Sequence, residues 1–139
     1  MTNYKGIAED IYTLLEQQGI ASNGTKMIIS ELPFDIDKCV AIIYAPSPRP
    51  NTSIDVYRQT LDFWSRFPDP VEAYDKLAQI LDILHKGQNY KTDSFHFYFS
   101  LAEGMILDMG KDESDRQLYK VSVDFMYRNK TAEELPPAS

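Results

Sequence analysis

The residues able to do chemistry are few, and they are scattered. The chain has two histidines, His85 and His96, and one cysteine, Cys39. No second His or Cys stands at a metal-ligand spacing from either histidine. His85 falls near the end of a helical stretch, where a partial positive charge is favoured. His96 falls on the polar side of an alternating stretch. Cys39 opens the apolar run Cys39-Val40-Ala41-Ile42-Ile43 with no His or Arg close in sequence. A reactive thiolate needs an electropositive, open setting, so Cys39 reads as a small buried hydrophobe. Asp35 with Asp37, and Asp112 with Glu113 and Asp115, have the types that hold Ca²⁺ or Mg²⁺. Their spacing does not match the twelve-residue Ca²⁺ loop, and they read as solvated turns. Gly104 and Gly110 lack the Lys and Ser/Thr of a phosphate loop, and Ser22 lacks a nucleophile elbow. The sequence thus assigns no catalytic residue, no cofactor and no metal. Triads assemble in space rather than in sequence, so this shifts weight toward a binding or assembly protein without excluding an enzyme.

Composition narrows the classes further. The chain has 139 residues, 14 Lys plus Arg against 21 Asp plus Glu, and a formal net charge of −7. That length fits one domain, expected over 1–130, followed by a polar, Pro-rich tail at 131–139 that reads as disordered. A protein that coats nucleic acid needs surplus cations, and this chain has the opposite balance. The same balance repels phosphates and anionic lipids. No apolar run reaches the length of a bilayer, and Met1-Thr2-Asn3-Tyr4-Lys5 opens no secretory signal. With a single cysteine, the expected setting is a reducing cytosol.

The elements follow from periodicity. Tyr4, Ile7, Ala8, Ile11, Leu14 and Leu15 paint one face of a first helix, with Thr2 or Asn3 as its cap and Gly19 as its stop. Strands are expected at 26–31 and 38–44, the second apolar on both faces and so central. A strand at 53–66 places Tyr57, Gln59, Leu61 and Phe63 on one face and Val56, Arg58, Thr60, Asp62, Trp64 and Arg66 on the other. Asp69 and Pro70 open a second helix to about Lys86, with a stripe of Val71, Tyr74, Leu77, Ala78, Leu81 and Leu84. Residues 94–101 and 117–128 alternate as strands, the first with Phe95, Phe97, Phe99 and Leu101 together. The order α-β-β-β-α-β-β specifies an α+β domain, a mixed, mostly antiparallel sheet covered by two helices.

Two segments are unusual. Pro46, Pro48, Arg49 and Pro50 crowd the loop 45–51, where prolines exclude a central strand. Met105, Ile106, Leu107 and Met109 form a large apolar run bracketed by Gly104 and Gly110. It reads either as a short edge strand or loop over the core, or as a surface that a partner covers. Trp64 and Arg66, of types enriched at interfaces, join these as candidates, as do Asp112 and Arg116 in the segment that follows.

Taken in order, these segments resemble the minor capsid and tail terminator proteins of long, non-contractile-tailed phages. The resemblance runs over roughly residues 5–128. It starts with Ile7-Ala8-Glu9-Asp10-Ile11 and Leu15-Glu16-Gln17-Gln18-Gly19-Ile20. It continues through Leu32-Pro33 and Asp37-Lys38-Cys39-Val40-Ala41-Ile42-Ile43-Tyr44. It includes Ala73-Tyr74 and Ile83-Leu84-His85-Lys86-Gly87, and closes with Met109-Gly110-Lys111-Asp112-Glu113-Ser114-Asp115-Arg116 and a last strand. The resemblance implies a non-enzymatic subunit assembled in the host cytoplasm. It would form a homo-oligomeric, hexameric ring at the head-proximal end of the virion tail. Such a ring contacts the major tail tube protein on one side and a head-side connector on the other, and no membrane. Genomic DNA would pass through without specific binding, and six copies would present about six times −7 to it. A ring needs two different patches that meet. The alternatives are a head-completion or connector subunit, and a small α+β ligand-binding or enzyme domain.

Overall fold

The computed structural model describes residues 6–22, 24–45 and 56–131. In chain order the elements are α1 (Ile7–Gln17), β1 (Lys26–Ile29), β2 (Cys39–Tyr44), β3 (Tyr57–Phe67), α2 (Pro70–Leu84), β4 (Gly87–Lys91), β5 (Phe95–Ala102), β6 (Leu107–Lys111) and β7 (Gln117–Asn129). This is the expected α+β order, with the short strands β4 and β6 added. The Pro-rich loop and the C-terminal segment 132–139 lie outside the described residues.

One seven-stranded sheet runs β1-β2-β3-β7-β5-β4, and β6 also pairs with β7. Only β1 and β2 are parallel; every other pair is antiparallel. β3 pairs with β7 along its whole length, from Tyr57 opposite Tyr127 to Phe67 opposite Gln117. On the other side of β7, β5 covers Val123–Asn129 and β6 covers Gln117–Lys120. β5 and β6 therefore lie in line on the same side of β7, interrupted at 103–106.

Alternation decides which face is buried. Val40 and Ile42, then Leu61, Phe63 and Phe67, then Val121, Val123 and Phe125 meet Ile7, Ile11 and Leu15 of α1 and Ala73, Leu77 and Ile80 of α2 in one apolar cluster. Both helices therefore lie on one face of the sheet. Fully burying each of these large side chains contributes roughly 1.5–3 kcal/mol. β2 is buried on both faces through Ile42, as its apolar sequence predicts.

Three local expectations are corrected. α1 starts at Ile7 with Gly6 as its N-cap and no side-chain cap; Thr2 and Asn3 lie outside the described residues. The buried side of α2 is Ala73, Lys76, Leu77, Ile80 and Leu84, while Val71 and Tyr74 are exposed. The stripe turns because Lys76 donates from Nζ to the Ile20 carbonyl at 2.8 Å, so a cation caps the chain leaving α1. Finally, the register of β5 slips between Phe97 and Phe99. A one-residue slip moves every later side chain to the opposite face. Ser100, not Leu101, therefore points under α2, where its hydroxyl donates to the Leu84 carbonyl. Leu101 turns outward and is exposed.

Candidate interaction surface at the β6 edge

Pairing registers place the candidate residues relative to one another. Ile28, Ala41, Trp64, Lys120 and Leu107 follow one another across β1, β2, β3, β7 and β6 as a single row. Residues paired in this way share a face. Trp64 alternates with the core residues Phe63 and Ser65, so the row lies on the face away from the helices. Lys120 Nζ sits 5.5 Å from the centre of the Trp64 ring and 3.6 Å from Asp62 Oδ2. Trp64 is thus half-buried beneath a cation that its neighbour holds in place.

Beyond Lys120 the surface turns apolar. Met105 is 75% exposed, Leu107 49%, Met109 44% and Leu101 43%. All five residues of β6 are exposed. Ile106 differs: it is partly buried and packs on the core. Of the bracketed run, then, Met105, Leu107 and Met109 form the outward strip, and Ile106 is its anchor. The short-strand reading of this run is the one the fold adopts, and the strand exposes its apolar side chains.

Arg66 and Arg116 do not lie on an open surface. They are 4% and 3% exposed, because the loop before β2 folds across them. Arg66 Nη2 donates to the Pro33 and Ile36 carbonyls. Arg116 Nη1 donates to the Phe34 carbonyl at 2.9 Å and the Ile36 carbonyl at 3.2 Å, and lies 3.2 Å from Asp37 Oδ1. The Phe34 ring covers the Arg116 guanidinium at 4.9 Å. Asp112 Oδ2 accepts from Arg116 Nε at 2.9 Å and is 3.8 Å from Arg66 Nε. Asp112 Oδ1 accepts from the Ser114 and Arg116 amides, closing the β6–β7 turn. Within the subunit these residues fasten the β6–β7 hairpin to β3 and to loop 33–37.

Charge in this clasp has a pH consequence. Burial pushes the Asp112 carboxyl up, but the Arg116 and Ser114 amides and the Arg116 guanidinium outweigh it and hold the group below its ordinary value of 3.8. A depressed carboxylate contributes stability that is complete above its unfolded value and is lost as pH falls through the folded one. Acid below the ordinary carboxylate range should therefore loosen the hairpin, and Asp112→Asn should remove that part of the acid dependence. Trp64 fluorescence during an acid titration measures it.

The other candidates for chemistry are occupied structurally. His85 caps α2, and its Nδ1 accepts from the Ala102 amide at 3.1 Å. His96 Nδ1 lies 3.1 Å from Arg128 Nη2. Burial raises the Cys39 thiol, against the opposing influence of Arg66 and Arg116. Asp37 and Asp112 serve the clasp, and Asp115 pairs with Lys111 at 3.5 Å. Among the described residues no group of three or more His, Cys, Asp or Glu could hold a metal ion. No described helix is long and apolar enough to cross a membrane. Pro46, Pro48, Arg49 and Pro50 lie outside the described residues.

The sequence gives little sign of the clasp, because apart from Asp112 the partners of the two arginines, main-chain carbonyls and Asp37, lie about 30 or more residues away in the chain. The sole hint is an Arg at the end of a strand whose neighbours Ser65 and Phe67 are core.

A family model described as bacteriophage tail terminator protein matches residues 14–129. The match runs from the last turns of α1 through the end of β7, so it includes the clasp and the strip. A search of curated proteins finds no match.

Proposed function

Since the chain belongs to the bacteriophage tail terminator family, we propose that it ends tail-tube polymerisation as a homo-oligomeric ring, a hexamer, at the head-proximal end of the tail. It contacts the major tail tube protein on one side and a head-side connector on the other. It catalyses no reaction and takes no cofactor. The family match carries this reading. The exposed strip of Met105, Leu107 and Met109 supports it, because a ring subunit needs apolar patches that its neighbours cover. Assembly takes place in the host cytoplasm.

The decisive experiment is genetic. Deleting the gene from the phage that encodes it should give tails of uncontrolled length and heads without tails. Tails of normal length that still fail to join heads would favour a connector role instead. A major tail protein gene directly downstream would add support.

The acidic balance acquires a role in a ring. Some of the excess carboxylates face the channel and keep passing DNA from adhering, since like charges repel at short range. The purified protein should show no salt-sensitive binding to duplex DNA. Tight binding at low salt with a steep salt dependence would contradict this.

A further inference from the structure

The sheet has three strands with an open outer side among the described residues, β1, β4 and β6. Natural edges are blunted by charge, by irregular backbone or by cover. β4 is blunted: Gln88, Asn89 and Lys91 are exposed, and Asn89 has a left-handed φ of 51°. β6 is irregular only in its second half, where the register with β7 slips between Asp108 and Lys111 and Gly110 has a φ of 81°. Asp108 is exposed, and its carboxylate accepts from the Gln117 side chain at 2.6 Å and the Gly110 amide at 2.8 Å. Lys111 is paired with Asp115. The large apolar side chains exposed on β6 are Leu107 and Met109. At the opposite end, β1 has the sequence Lys-Met-Ile-Ile, with one charge in four residues. Among the described residues neither β1 nor β6 has a strand on its outer side.

These two edges match in height and in direction. Ile28 and Leu107 stand at the two ends of the row through Ala41, Trp64 and Lys120. Met27 and Asp108 end the next row, through Val40, Ser65 and Tyr119. β6 runs against β7, β7 against β3 and β3 against β2, while β1 runs with β2. β1 and β6 therefore have opposite senses. A copy rotated about an axis parallel to the strands would bring its β1 beside β6 at the same level and antiparallel. Such a contact joins two different patches, the kind that closes a ring.

We propose that β6 of one copy pairs with β1 of the next, so that the sheet continues from subunit to subunit with Leu107 beside Ile28 of the next copy. This inference rests on the ring reading above and names the surfaces that meet. Main-chain hydrogen bonds supply the pairing, and the apolar side chains at the two ends of the row, Ile28 and Leu107, supply the register. Met105 and Met109 flank Leu107 and cover the joint.

Paired cysteines test it. Facing residues in an antiparallel pair have Cα atoms about 4.5–5.5 Å apart, within reach of a disulfide. Cys39 is fully buried and stays out of the reaction. Tails assembled from a mixture of Leu107→Cys and Ile28→Cys subunits should yield a covalent dimer on mild oxidation. The double variant should yield a ladder ending in a closed ring. Each variant alone should give none. Melting curves of the free variants report their folding. A dimer from Leu107→Cys alone would mean that β6 pairs with itself, and would overturn the proposal. So would normal-length tails that contain both variants and give no cross-link. If tail length proves independent of the gene, the terminator reading fails separately, while the cross-link still reports whether the edges meet.

Discussion

Met105→Asp is expected to abolish ring formation and leave the subunit folded. Met105 is 75% exposed, so a carboxylate there stays hydrated in the free subunit. In a covered interface it would be desolvated without a partner, which costs about 3 kcal/mol or more at a central position. That is roughly a hundredfold in association for each contact, before the contacts around a ring compound it. The free variant should melt with the parent, since exposed substitutions away from special features stay within about 0.5 kcal/mol. Ile106→Asp makes the control. Ile106 packs on the core, so the same change one residue later should lower the melting temperature of the monomer itself. Size-exclusion and melting measurements on both variants separate a surface from a core. Loss of structure in Met105→Asp would place the strip inside the fold.

Arg116→Ala is expected to be the more damaging change for the free subunit. Its guanidinium is 3% exposed and holds Asp112, Asp37 and the Phe34 and Ile36 carbonyls at once. Removing one partner of a buried ion pair costs about 3–5 kcal/mol, because the remaining groups are left desolvated. For a domain of this size that lowers the melting temperature on the order of 10 °C. Asp37→Ala provides the contrast. Asp37 is 77% exposed, so its pair with Arg116 is largely screened and should be worth less than about 1 kcal/mol. Thermal unfolding of the two variants checks the ranking. Because the clasp fixes the β6–β7 turn, Arg116→Ala should also weaken assembly.

The architecture was largely legible in the residues, and the points that were not have physical causes. Periodicity located α1, α2, β2, β3, β5 and β7, since each carries a continuous apolar stripe. β4 was missed because Gly-Gln-Asn-Tyr-Lys has no such stripe; it forms by pairing with β5. Alternation groups Phe99 and Leu101 with Phe95 and Phe97, but a bulge after Phe97, which leaves no mark in an alternating run, shifts the register. The side of α2 was misjudged because Lys76 is buried through its carbonyl partner, and a sequence scan counts every lysine as outward.

The candidate site shows the same division. The bracketed run Met105–Met109 announced itself by composition, and its exposure is what makes it a surface. Trp64 was placed on the correct face by alternation, but its Lys120 cover depends on a strand more than 50 residues away. Residue type groups Arg66 with a surface, and position after the apolar run groups Arg116 with it. Loop 33–37 buries them, and no local pattern reveals that a loop before β2 folds across the end of β3.

The most direct test of the terminator role is negative-stain electron microscopy of the purified protein mixed with isolated tail tubes. A single ring seated on one end of each tube, with further tube growth halted at that end, is the expected result. Tubes that keep growing in its presence, or protein bound along their sides and not at an end, would contradict it.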